Sequence, residues 1–221
     1  MLASASLRAV SGEFRALLGR NGTGKSTLLR IACGWTAPDT GAVHYDGHTY
    51  LSASPARLAR LGVFCWPDQH LLSNAFSVRR RLEMLRRQFD GAPVEDAAAQ
   101  VGIAAMLDQR PDSLSGGERR RAELAAVLVR RPRCLLADEP FRGVAPRDAE
   151  LLTTHFKRLA RENVAVVVTG HEVPTLLAAA DHVTWCTSGT TYEVGPPAAA
   201  MRHERFRDEY LGPRYSLASA R

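Results

Sequence analysis

Gly19-Arg20-Asn21-Gly22-Thr23-Gly24-Lys25-Ser26 matches the pattern G-x-x-x-x-G-K-[ST]. A loop of this composition turns successive backbone N–H groups toward phosphate oxygens, and side chains at Gly22 and Gly24 would obstruct that approach. Lys25 supplies a cation for β- and γ-phosphates, and the Ser26 hydroxyl is a ligand for Mg²⁺. A helix beginning here would add the partial positive charge of its N-terminus, and Thr27 completes the candidate phosphate contacts. An ordinary glycine turn is the bland alternative. It loses weight because the apolar run Phe14–Leu18 before the loop reads as a buried strand and Ser26–Trp35 after it reads as a helix.

Three further segments carry chemistry. Cys134-Leu135-Leu136-Ala137 is an apolar strand that delivers Asp138 and Glu139 at its C-terminal end, the edge where ligands bind in α/β sheets. Asp138 is placed to hold Mg²⁺ through water and Glu139 to polarise an attacking water as general base. A solvated acidic pair is the competing reading. Leu114-Ser115-Gly116-Gly117-Glu118 opens a strongly helical stretch, Gly117–Arg131. A hydroxyl, two glycines and a helix N-terminus make a second anion site, although a plain helix cap would look the same. One nucleotide has a single γ-phosphate, so a second such helix tip is most simply explained as serving the nucleotide of another copy. His171 follows the β-branched run Val164–Thr169 and could bond a γ-phosphate as neutral imidazole; a surface histidine is the alternative.

These segments need a scaffold, and the rest of the 221 residues describes one. Strand-like runs also occur at Val43–Tyr45, Gly62–Trp66, His182–Cys186 and Thr191–Val194, and helical ones begin at Ser54-Pro55 and cover Arg147–Glu162 and Val173–Ala180. Strands alternating with helices imply a mainly parallel sheet covered on both faces. Ser77 to about Asp112 is helical between two strands and reads as an insertion. The tail from about 198 to 221 starts helical and ends polar. The composition, 45% hydrophobic and 24% charged, excludes a disordered or fibrous chain. No apolar run reaches about 18 residues, and MLASASLRAVSGEF lacks the pattern of a secretory signal, so the expectation is a protein that stays inside the cell. Cys33, Cys65, Cys134 and Cys186 form no CxxC and read as reduced thiols.

The four motifs, in this order, resemble those of the ATP-binding-cassette (ABC) ATPases: Walker A as GRNGTGKS, the signature as LSGGE, Walker B as CLLADE, and a switch histidine as His171. LSGGERRR, ADEPFRGV and Tyr210-Leu211-Gly212 are most similar to the lipopolysaccharide-transport ATPases, with the branched-chain amino-acid uptake ATPases close behind. The resemblance covers nearly the whole chain. It implies one P-loop α/β domain over 1–221, with a small antiparallel β subdomain, a helical insertion at about 77–115 and a tail at about 198–221. It further implies ATP and Mg²⁺, a head-to-tail homodimer with two ATPs sandwiched between Walker A of one copy and Ser115, Gly116 and Gly117 of the other, and hydrolysis coupled to a separate transmembrane permease. The chain would then sit on the cytoplasmic face of the membrane through that permease.

Three positions depart from the family pattern. Its adenine-stacking aromatic residue would fall before Met1. Its aspartate in the loop after Walker B, which helps link the two sites, is replaced by Ala145. Its glutamine, a contact for Mg²⁺ and water, aligns without gaps on Asp68, whereas a one-residue shift restores Gln69; the neutral amide of Gln69 suits the role better. These departures keep an alternative open, an ATP-dependent dimerisation switch with little turnover. The net charge of +6 and the arginine clusters at Arg79–Arg81, Arg86–Arg87, Arg119–Arg121 and Arg130, Arg131 and Arg133 admit a nucleic-acid face. No aromatic residues interleave with them, so solvated faces, ion pairs or a docking surface on the insertion are preferred and no nucleic-acid partner is expected.

Overall fold

A computed structural model describes residues 2–69, 71–212 and 215. Its main sheet has six strands in the order β4-β5-β6-β1-β7-β8: Val63–Trp66, Cys134–Ala137, Ala165–Thr169, Phe14–Leu18, His182–Thr187 and Thr190–Gly195. The first five run parallel and β8 returns antiparallel on β7. Strands β5, β6 and β1 are buried along their whole length, as their unbroken apolar runs require in a sheet covered on both faces. Along β1, alternate residues enter opposite cores: Phe14, Ala16 and Leu18 one, Leu17 the other. A second sheet pairs β2 (Val43–Tyr45) with β3 (His48–Tyr50) antiparallel. The turn between them is Asp46-Gly47, both residues at positive φ, as a two-residue hairpin needs.

The smaller core holds α1 (Lys25–Ala32) and α2 (Pro55–Leu61) against the sheet. Strand β4 starts one residue later than the apolar run because Gly62, at φ 109°, caps the C-terminus of α2. The larger core contains α3 (Val78–Phe89), α4 (Val94–Gln100), α5 (Gly116–Arg130), α6 (Pro146–Arg161) and α7 (Val173–Ala179), with the short α8 (Pro197–Ala200) and α9 (Glu204–Phe206). Phe156 of α6 sits at its centre, edge-on to Phe14, Trp66 and Phe141 at centroid distances of 6.2, 5.9 and 5.9 Å. Each such pair contributes about 0.5–1.5 kcal/mol beyond burial. Phe141 belongs to the loop after β5, so this cluster anchors that loop to the core.

The arginines on α5 tie segments together. Arg119 donates to Leu72 O and Asn74 Oδ1 (3.2 and 3.1 Å), and Arg120 donates to Asp68 O (3.0 Å). Arg130 lies 3.8 Å from the centre of the Phe89 ring and donates to Ala59 O. On α3, Arg79 pairs with Glu95 and Asp108, each at 2.7 Å. Ion pairs and carbonyl ties therefore engage these four side chains. The four cysteines are free thiols; Cys33 and Cys65, 32 positions apart in sequence, both belong to the smaller core, where Cys33 Sγ donates to Arg30 O (3.5 Å). Among the described residues no helix is long and apolar enough to cross a membrane.

Candidate active site

The parallel register brings the chemical residues to one edge. Ala137 pairs with Val168 and Leu17 with Thr169, so the residues that follow β5, β6 and β1 emerge side by side: Asp138-Glu139, Gly170-His171 and the glycine loop. The loop passes directly into α1, whose N-cap is Gly24 at φ 106°. An L-residue is strained there, and a Cβ would also overlap the Leu2 side chain. At Gly22 a Cβ would meet nothing within 4 Å among the described residues, so glycine is favoured there by its φ of 78°.

Lys25 is buried, and its Nζ donates to Gly19 O (2.8 Å) and Arg20 O (3.0 Å). Burial pushes its pKa down, opposed by Glu139, Cys186 and Asp138. Both Walker B acids are therefore within electrostatic reach of the ammonium group. Ser26 is half-buried at the start of α1, and Arg20, Asn21 and Thr27 are exposed. A cavity of about 580 Å³ opens beside the loop, lined by Arg20 to Thr23 on one side and by Trp185, Thr187 and Tyr210 among others on the facing side.

Asp138 is buried at 4% exposure and is held by a residue that no motif announced. The fully buried Thr169 donates from Oγ1 to Asp138 Oδ1 (2.6 Å) and accepts from the Glu139 backbone N–H (2.9 Å). Glu139 is at φ 48°, a conformation costing a non-glycine residue of order 1 kcal/mol or more, and the Thr169 bond fixes it there. Its carboxylate lies 3.0 Å from His171 Nε2. Asp138, Glu139, Thr169, His171 and Lys25 thus form one cluster on the sheet edge.

Asp68 and Gln69 follow β4 and Pro67. Asp68 is half-buried, with its carbonyl held by Arg120 and its carboxylate 3.8 Å from Arg142 of the loop after Walker B; Gln69 is exposed. This segment is fixed by Glu123 of α5, which sequence reasoning also missed. Fully buried, Glu123 accepts from Trp66 Nε1 (3.1 Å), the Leu71 backbone N–H (3.0 Å) and Arg120 (2.7 Å). Ser115 is the N-cap of α5 in a capping box: Ser115 Oγ accepts from the Glu118 N–H, and Glu118 accepts from Ser115 N–H (2.9 Å). Ser115 Oγ also donates to the Glu118 carboxylate (2.7 Å), so the box holds the hydroxyl at the helix tip. Gly116 and Gly117 pack on Gly143 and Asp148 of the same chain. Tyr210 faces the glycine loop from the tail; burial pushes its phenol up, against a hydrogen bond from the Gly19 backbone.

The donor set fits Mg²⁺. One carboxylate (Asp138) and one hydroxyl (Ser26) are hard oxygen donors, the sparse protein set used when the ion is held chiefly by substrate phosphates. Among the described residues no cluster of three or more His, Cys, Asp or Glu forms a metal cage.

The chain is similar to known proteins in sequence and in fold. Residues 2–142 match the family model described as ABC transporter. The thiamine import ATP-binding protein ThiQ of Vibrio vulnificus is 34% identical over 201 residues, 87% of this chain and 84% of the relative. The lipopolysaccharide export ATP-binding protein LptB of Acidithiobacillus ferridurans is 27% identical over 218 residues, 96% of this chain and 90% of the relative. Two solved ABC-transporter cassettes share the fold. One, in its ADP conformation, has a TM-score of 0.81 at 21% identity over 96% of this chain and 92% of that one. The other, a dimeric post-hydrolysis cassette bound to ADP and Pi, has a TM-score of 0.78 at 22% identity over 87% and 90%. The chain belongs to the ABC transporter family, as an ATP-binding ATPase subunit.

Proposed function

We propose that the chain hydrolyses Mg·ATP in a site completed by a second copy of itself, and that it drives a separate transmembrane permease from the cytoplasmic face of the membrane. The observation that carries this reading is the cluster of Lys25, Asp138, Glu139, Thr169 and His171 beside a phosphate-binding loop. Lys25 and the loop amides from Gly19 to Ser26 hold the β- and γ-phosphates, and Thr27 contacts the phosphates from the first turn of α1. Ser26 and Asp138 would hold Mg²⁺, with Gln69 as the further contact; when bound, the ion neutralises charge developing on the phosphoryl oxygens. Glu139 orients the attacking water and accepts its proton. His171, now against Glu139, turns its imidazole to the γ-phosphate. Ser115, Gly116 and Gly117 come from the second subunit, which supplies a pre-set helix tip where charge develops.

Glu139→Gln tests the assignment. It should leave ATP binding intact, abolish phosphate release and trap an ATP-bound dimer on a sizing column. Hydrolysis at the parent rate would remove the general-base role. The parent's activity should rise more steeply than protein concentration, since two chains build each site; strict proportionality down to nanomolar protein would remove the composite site.

The switch reading has one observation in its favour. Ala145 is the N-cap of α6 and has no side-chain acceptor, so the aspartate that would both cap the helix and meet the other subunit is absent. The intact Glu139–His171 pair favours turnover.

A further inference from the structure

Gly117, at the tip of α5, approaches its own chain unusually closely, and its neighbour Gly116 makes an ordinary contact. A Cβ on Gly117 would overlap Asp148 Oδ2 and stand 3.0 Å from its Cγ, and one on Gly116 would stand 3.5 Å from Gly143 O. Asp148 lies in the first turn of α6 and donates its backbone N–H to Ala145 O (3.0 Å). It therefore sits three residues after the alanine that replaces the family's aspartate. Its Oδ1 is 3.3 Å from Arg121 Nε, with the two side chains 19% and 24% exposed. Arg121 also donates from Nη1 to Gly102 O (3.3 Å), just beyond the end of α4. One carboxylate and one guanidinium thus pin together Gly102, the signature helix and the first turn of α6, which follows directly on the loop after Walker B.

We propose that Asp148 is a positioning residue that seats the signature helix tip on the loop after Walker B, so that both elements meet the opposite nucleotide as one rigid unit. The proposal rests on the two-subunit site argued above. In that site the signature tip and this loop of one copy both face the other. A carboxylate lodged against the Gly117 Cα fixes their spacing before the subunits close, which lowers the ordering cost of closure. Glycine at 117 is then needed twice, for the phosphate and for Asp148. An added methyl would push the flexible carboxylate off Arg121.

The test uses the Glu139→Gln chain, in which dimerisation is read without turnover, and measures the ATP-dependent dimer Kd by sedimentation. Loss of a partly buried ion pair, worth more than an exposed pair and less than a fully buried one, should weaken closure about tenfold at each site. A two-fold symmetric dimer has two such sites, so Asp148→Ala should raise the dimer Kd on the order of a hundredfold. ATP affinity of the single chain, by calorimetry, should stay within about twofold because the glycine loop is untouched. Asp148→Ala combined with Arg121→Ala should be no worse than the worse single variant, since one contact is being removed twice. An unchanged or tighter dimer would overturn the proposal, as would a parallel loss of ATP affinity or full additivity. A Glu139→Gln chain that stays monomeric with ATP would bring down the two-subunit reading and this proposal with it. A dimer indifferent to Asp148 would bring down this proposal alone.

Discussion

Thr169→Val is the substitution that separates packing from positioning most cleanly, because valine reproduces the shape of threonine while removing its hydroxyl. Thr169 is fully buried, donates 2.6 Å to Asp138 and accepts 2.9 Å from the Glu139 N–H. The first bond is charge-assisted and contributes about 1.5–3 kcal/mol; losing the second leaves a half-buried N–H without an acceptor, which costs about 1–3 kcal/mol. The two share one hydroxyl and do not add, so an overall loss of about 2–4 kcal/mol is expected. For a chain of this size that is a fall in Tm of roughly 5–15 °C. Catalysis should suffer more than stability. Glu139 at φ 48° has lost its anchor, and a displacement of about 1 Å costs on the order of a hundredfold in rate. Phosphate release at saturating Mg·ATP, with calorimetric ATP binding in parallel, should show kcat down about a hundredfold at nearly unchanged affinity. Thr169→Ser should restore most of both. A Val variant that turns over at the parent rate, or a Ser variant as impaired as Val, would refute the argument that this hydroxyl sets the two acids.

Two further outcomes follow from buried charges. Lys25 has a pKa lowered from 10.5 by burial, and phosphate contact restores the charged form, so the complex binds more protons than the free chain. ATP affinity should therefore fall as pH rises through the lowered pKa, with proton uptake visible as a buffer dependence of the calorimetric heat; the stability of the free chain should rise across the same window, since there the unfolded state holds the extra proton. Lys25→Met should lose the proton uptake and most of the affinity, and an unchanged uptake would assign it to another group. Glu123→Leu should strand Trp66 Nε1, the Leu71 N–H and Arg120, costing about 3–5 kcal/mol. It should appear as a lower denaturant midpoint and faster hydrogen exchange at Leu71, and a neutral result would mean that the loop after β4 is held by other contacts.

The sheet was legible because its signals are local. Four of its strands are apolar runs that end at glycine, proline or acidic punctuation, and α5 announces itself by Ser115-x-x-Glu118, a capping box readable from four letters. The strand His48–Tyr50 was missed for a different reason. Two of its three residues are exposed, so no apolar run marks it. The signal available was Asp46-Gly47, a dipeptide that favours the mirror-image turn of a hairpin. Boundaries shifted where a cap outweighed hydrophobicity, as at Gly62.

The site was legible to the same depth and no further. Each motif marks where the backbone must bend around a phosphate or present an acid, and such constraints act within a few residues. Thr169, Glu123 and Asp148 act across the fold, and nothing in their own neighbourhoods sets them apart. Thr169 ends a valine-rich strand, and Glu123 stands in a helix of alanines and leucines where a charge looks like an ordinary exposed residue. Yet Glu123 is fully buried and Asp148 is four-fifths covered. A buried carboxylate persists only where several donors converge on it. For Glu123 those donors come from Trp66, Leu71 and Arg120; for Asp148 the cation is Arg121. Arg120 and Arg121 are neighbours on α5 with different partners, one reaching the loop after β4 and the other the first turn of α6 and Gly102. The run Arg119-Arg120-Arg121, which reads in one dimension as a basic patch, is therefore the means by which one helix holds the loop after β4 on one side and the first turn of α6 and Gly102 on the other.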